Sequence, residues 1–182
     1  AANMHGDTNN YHFVYSPATI TEYSIMYHIA DGTNIHYNGG GGTSDSIEQH
    51  FGVDNTGKPW WWYQNGTNSQ ATISLKSDGL AVNEVALMST TFASLGGELF
   101  TNAASDGTDT VNNGGNDATL TRIGGHQYTG GQLERFYQGR LSEIIVYTSD
   151  TTAAEQQRID SYLALKYGVT LSGGTLDYLS GS

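Results

Sequence analysis

Cysteine is absent from this chain of 182 residues. No disulfide framework is available, which excludes a small cross-linked scaffold and leaves stability to a hydrophobic core. The length suits one domain with a core of useful size. Basic residues are scarce too: 7 Lys and Arg face 18 Asp and Glu, for a net charge of −11. Such a surface repels polyanions, so nucleic acid is not an expected partner. Lysine occurs only as Lys58, Lys76 and Lys166. No apolar run approaches the roughly 18 residues that cross a bilayer, so membrane insertion is not expected. Ala1 stands where Met would, with neither a charged n-region nor an apolar h-region after it. We therefore expect a single domain, residues 1–182, excised from a longer protein.

The signatures of common catalytic sites are missing as well. No H-E-x-x-H and no G-x-S-x-G occurs, so neither a zincin nor a nucleophile elbow is supported. Histidines stand at 5, 12, 28, 36, 50 and 126, scattered along the chain. Glycoside hydrolysis ordinarily needs two carboxylates. Glu134 and Glu143 are nine residues apart, and no strand carries the paired carboxylates that glucanases use, so no catalytic pair is read. The run "GGGGTSDS" (39–46) lacks the lysine of a phosphate loop. No repeat of 20 to 50 residues is visible, which argues against a solenoid or propeller. The chain is read as a non-enzyme.

What is present is strand and turn chemistry. Glycine numbers 24, and Thr, Ser and Asn are abundant. Period-two patterns predict strands at 11–16, 19–30, 47–54, 59–64, 71–77, 84–92, 97–102, 118–124 and 139–148. Within 19–30, Thr21, Tyr23, Ile25, Tyr27 and Ile29 share one face. One segment has the other period. In "TAAEQQRIDSYLALKYG" (152–168), Thr152 and Glu155 form a capping box, and Gly168 stands at a left-handed C-cap. Ile159, Tyr162, Leu163 and Tyr167 make the apolar stripe that lets this helix lie against a sheet.

Three stretches carry the candidate sites. "PWWWYQ" (59–64) reads as a strand before an Asn65-Gly66 turn. Trp60 and Trp62 share one face, Trp61 and Tyr63 the other. One pair belongs to the core, and the other is a second packed surface or an aromatic platform; Trp61 and Tyr63 are taken as the ligand-facing candidates. "SDGTDTVNNGGNDATL" (105–120) holds Asp106, Asp109, Asn112, Asn113, Asn116 and Asp117. Calcium takes six to eight oxygens of this kind, so Asp106, Asp109, Asn113, Asn116 and Asp117 are candidate ligands; an ordinary Asx-rich turn is the alternative. In "GGHQYTGGQLERF" (124–136), glycines flank His126, Gln127 and Tyr128. Those three side chains are expected to project at one end of a sandwich and orient a sugar ring or a peptide end.

"IGG" (123–125), then "RFYQGRLSEIIVYTSDTTAAEQQRIDSYLALKYGVTL" (135–171), resembles the close of laminin-G-like, concanavalin A-like jelly-roll domains. The tail "YLALKYGVTL", followed by "LDYLSGS", is similar to a variant in large surface proteins and adhesins of bacteria. The resemblance implies an all-β sandwich of two antiparallel sheets with one short C-terminal helix. It implies an extracellular, calcium-dependent adhesion module on a bacterial surface. Its ligand would be a glycan or peptide of a host or neighbouring cell, bound by a monomeric module of a multidomain chain. A structural spacer domain, or a carbohydrate-binding module attached to a glycoside hydrolase, are the alternatives.

Overall fold

The alternation near the start of the chain is realised as strand β1 (Asn10–Pro17), buried along its whole length. A computed structural model describes residues 10–20, 23–30, 48–65, 69–74, 79–93, 96–109, 120–127, 133–149 and 151–172. β1 sits between β12 (Gly139–Tyr147) and β6 (Ala86–Ala93), and β7 (Gly96–Thr101) and β8 (Ala104–Asp109) complete this first sheet. The second sheet runs β5 (Ser69–Ser74), β4 (Pro59–Asn65), β3 (Glu48–Val53), β2 (Ser24–Ala30), β9 (Leu120–Ile123). Every pairing within the two sheets is antiparallel. β10 (His126–Gln127) and β11 (Leu133–Glu134) form a small ribbon of their own. The architecture is the expected all-β sandwich, with helix α1 (Ala153–Tyr167) near its C-terminal end.

Period two sends one set of side chains from each strand between the sheets. From β1 these are Tyr11, Phe13 and Tyr15; from the second sheet, Met26, Tyr27, Phe51, Val53 and Trp61. Phe51 and Trp61 are cross-strand partners, with rings stacked 5.7 Å apart. Trp61 is fully buried. The ligand-facing role expected for it is therefore corrected: its alternation points it into the core, and Phe51 covers its face.

β1 is buried on both sides because α1 roofs its outer face. Val14, Leu87, Leu163, Ala164 and Val169 form a second apolar cluster there. Helix α1 has its predicted ends. The Thr152 side chain accepts from the Glu155 N–H, the Glu155 carboxylate accepts from the Thr152 N–H, and Gly168 takes φ 70°. The expected stripe needs one change: Leu163 is buried, but Tyr162 faces solvent and lies near the Lys166 ammonium.

Two further departures from expectation are local. β2 carries a bulge between Ile25 and Tyr27. Met26 and Tyr27 both join the core, while Ile25 packs with Trp60 and Trp62 on the opposite face. Tyr23, Ile25 and Tyr27 thus do not share one face, because the extra residue shifts the alternation. The second departure is β8, which occupies the start of the stretch read as an acidic loop. Asn102 and Ala103 take φ 49° and 66°, and Thr101 pairs with Ala104. Two left-handed residues between paired strands make a tight primed turn, so the chain returns as a strand.

Candidate functional site

The outer face of the second sheet carries rings instead of a helix. His50 on β3 stands opposite Trp62 on β4, and Gly52 opposite Trp60. His50 stacks on Trp62 with centroids 4.6 Å apart and meets Trp60 edge-on at 6.2 Å. Gly52 leaves room for this arrangement. A Cβ there would lie 2.0 Å from the Ser24 carbonyl oxygen and 3.1 Å from Trp60 Nε1.

The β10–β11 ribbon lies across these rings. Its docking runs through the β2 bulge: the Ile25 N–H donates to the Arg135 carbonyl (2.9 Å), and the Gly124 N–H to the Met26 carbonyl (2.8 Å). This places the His126 ring 4.6 Å from His50, at a steep angle. Glu134, paired with His126 in the ribbon, has Oε1 3.8 Å from His126 Nδ1 and 3.7 Å from Arg135 Nε. Arg135 holds a left-handed φ of 53° without being glycine. Such backbone strain persists where surrounding structure fixes it, and it collects at ligand clamps. Half-buried Arg122 on β9 stands opposite His28, which stands opposite His50.

The site therefore has a base and a rim. Trp60, Trp62, His50 and His126 are buried and form the base. Tyr23 (52 % exposed), Phe136 (51 %) and the Arg135 and Glu134 side chains form the rim. Tyr23 meets Trp60 edge-on at 6.0 Å, and Phe136 bridges to Ile25. Burial, aided by the Arg135 charge, lowers the His50 pKa to about 3. His50 is thus neutral at physiological pH, and the fixed positive charge near it comes from arginine. A rim of two aromatic rings, a guanidinium and a carboxylate can stack on a ring and hold a polar or anionic group.

The sequence-derived candidates meet this site only in part. His126 is in it, but as a buried foundation and not a projecting group, because the ribbon folds it onto His50. Gln127 lies in β10, and its side chain is outside the described residues, as are Tyr128 and the Tyr63 side chain. Of the calcium candidates, Asp106 is buried in β8, where burial raises its pKa to about 6 and its Oδ2 finds no hydrogen bond among the described residues. The Asp109 side chain and residues Asn112, Asn113, Asn116 and Asp117 lie outside the described residues. Among the described residues, no group of three or more His, Asp and Glu side chains comes together as a metal site. His50, Tyr23, Glu134, Arg135 and Phe136 were not anticipated. Histidines 76 positions apart are scattered in sequence and in contact in space, and only the β3–ribbon packing joins them.

Solved structures place this architecture. The chain superposes on the CBM40 of a Ruminococcus gnavus IT-sialidase bound to α2,3-sialyllactose (TM-score 0.64, 12 % identity, 84 % of this chain and 81 % of that one). It also superposes on domains LG4-5 of the mouse laminin α1 chain (0.61, 11 %, 80 % and 36 %). A heptameric SAP-like pentraxin from Limulus polyphemus is a third match (0.62, 18 %, 98 % and 81 %). The fold is a concanavalin A-like jelly roll. At these identities the likeness concerns the fold alone. Residues 155–182 match a family described as a domain of unknown function (DUF8202). No curated protein matches the chain. In jelly-roll terms, the base and rim occupy the outer face of one sheet, and α1 occupies the outer face of the other.

Proposed function

We propose that this jelly roll is a non-catalytic glycan-binding module whose preferred ligand is an acidic saccharide. The observation that carries the reading is Arg135, strained and exposed between Phe136 and Glu134 above the Trp–His base. The chain has only 7 basic residues, and two of them, Arg122 and Arg135, are on the second sheet or the ribbon docked to it. In a protein of net charge −11, a guanidinium beside an aromatic rim is suited to a sugar carboxylate. The sialyllactose complexes of the Ruminococcus gnavus module support the same class. Tyr23 and Phe136 would stack on sugar rings, and Arg135 would hold the carboxylate.

The setting we propose is extracellular: one adhesion module of a bacterial surface protein that meets glycans on a host or neighbouring cell. Weak single-site affinity suffices there, since multivalency multiplies it by about 10²–10⁴. Calcium is proposed as a structural partner. Asp106, whose buried Oδ2 has no hydrogen-bond partner among the described residues, is the described carboxylate suited to it, and Asp109, Asn113, Asn116 and Asp117 would complete the shell. The ion's chemistry there would be to neutralise and order the acidic stretch.

The test is titration with sialyllactose and lactose, each with calcium and with chelator. Sialyllactose is expected to bind and lactose not, with Arg135→Ala weakening binding about tenfold or more. Equal binding of both sugars, or an unchanged Arg135→Ala, would refute the acidic-sugar reading. A melting temperature untouched by chelator would remove calcium from it.

A further inference from the structure

Under the first half of α1 the outer face of the first sheet turns polar. His12 stands opposite Ser89, and Ser89 opposite Phe100; in the next row Thr91 stands opposite Glu98. A cleft of about 370 Å³ opens between Thr91, Glu98 and Phe100 on the sheet and Gln156, Gln157 and Asp160 on the helix. That size is within the range of small-molecule sites.

The cleft wall is arranged in advance by a relay of hydrogen bonds. Asn10 Nδ2 donates to Thr151 Oγ1 (2.7 Å), and Thr151 Oγ1 to Gln156 Oε1 (3.4 Å). Gln156 Nε2 donates to Asp160 Oδ2 (3.3 Å), and Asp160 Oδ1 faces His12 Nδ1 at 3.3 Å. Gln156 and Asp160 are more than nine-tenths buried, yet both line the cleft. Beside them Ser89 Oγ and His12 Nε2 are fully buried and have no hydrogen-bond partner among the described residues. Neither Ser89 nor His12 lines the cleft itself; they carry its polar wall on beneath the helix.

We propose that this cleft is a second saccharide site, one that takes a single neutral pyranose. Its chemistry is opposite to that of the ribbon site. Carboxylates, amides, hydroxyls and one phenyl ring line it, with neither Lys nor Arg among the described residues that line it. An acidic sugar would meet Glu98 and Asp160 with no cation to offset them. A free ammonium is less suited than a polyol, because the positive end of the α1 dipole lies at Ala153 and Gln156 on the same wall. Each carboxylate keeps lone pairs for sugar hydroxyls, each glutamine offers a donor beside an acceptor, and Phe100 supplies an apolar floor for the C–H face of a ring. Asp160 is held by His12 and Gln156, and Glu98 accepts from the Ser105 hydroxyl, so both carboxylates are fixed in place as acceptors.

The proposal is tested by titrating the isotope-labelled domain with methyl glucoside, methyl galactoside and methyl mannoside, with glucosamine and glucuronate as charged controls. At least one neutral pyranose should shift the amides of residues 98–100 and 153–160 saturably. Gln157→Ala and Thr91→Val should each weaken it about three- to tenfold, while Arg135→Ala leaves it unchanged. Shifts with glucosamine or glucuronate alone, no shift with any neutral sugar at millimolar concentration, or two variants that bind like the parent would each overturn it. Failure of sialyllactose at the ribbon site does not touch this result, so the two proposals stand or fall separately.

Discussion

On the first sheet the outer face is roofed by a helix of 15 residues; on the second it is crossed by two strands of two residues each. The helix carries enough apolar surface to bury Val14 and Leu87 with Leu163 and Ala164. It also carries enough polar groups to place Gln156 and Asp160 over His12. The ribbon buries His50, Trp60 and Trp62 but is too small to cover Tyr23, Phe136 and Arg135. A cover that spans its face makes a second core. A cover that stops short leaves aromatic and charged groups at the surface, available to ligand.

The largest expected effect separates the space between the sheets from either outer face. Trp61→Ala should cost roughly 3–5 kcal/mol in denaturant unfolding, as for other buried aromatic truncations. Trp60→Ala and Trp62→Ala should cost about 1–3 kcal/mol, since their cover is the small ribbon. Equal losses at all three positions would erase the distinction between core and base.

Next in size is the polar junction of the first sheet. Asp160→Ala leaves His12 buried opposite no carboxylate, and about 3 kcal/mol of stability should be lost. The paired replacement His12→Leu with Asp160→Leu should recover most of it. A double variant as unstable as the single one would mean that the helix is held there by shape and not by the pair.

The second sheet should show the complementary pH response. The folded-state pKa of His50 is depressed to about 3, chiefly by burial and then by Arg135. Protonation therefore favours the unfolded chain. The contribution of His50 is complete above its ordinary value near 6.5 and is lost as pH falls toward 3, on the order of 5 kcal/mol. His50→Phe should flatten the melting profile between those limits. An unchanged profile would show that the ring pile opens to admit water.

The smallest effect concerns the helix end. Thr152→Ala removes the side-chain acceptor of the capping box and should cost about 1 kcal/mol in thermal unfolding. Binding at the ribbon should stay unchanged, because α1 lies on the opposite outer face. Loss of sialyllactose binding in this variant would couple two faces described here as independent.

Legibility followed the range of the interactions. The capping box, Gly168 and the strand from Pro59 to Asn65 depend on neighbours a few residues away, and all were readable. The β2 bulge was not, because it is set by Gly124 and Arg135 docking from far along the chain. β8 is not legible as a strand, because Asp and Asn favour turns. The decisive signal lay just upstream, in the left-handed pair Asn102 and Ala103. The ribbon site is half legible: the glycine-flanked His126 marks the place, while nothing local in the sequence joins it to His50, 76 positions away.

By itself the sequence determined the alternating strands, the capped helix, the acidic charge and, through its tail, the jelly-roll fold. These follow from period, propensity and local hydrogen bonding, which act within a few residues. Only the tertiary structure decided which tryptophan lies between the sheets, which histidines touch, and that Arg135 stands strained beside Phe136. Those outcomes depend on cross-strand register, and a single extra residue in β2 sends Met26 and Tyr27 both into the core while Ile25 lies on the opposite face.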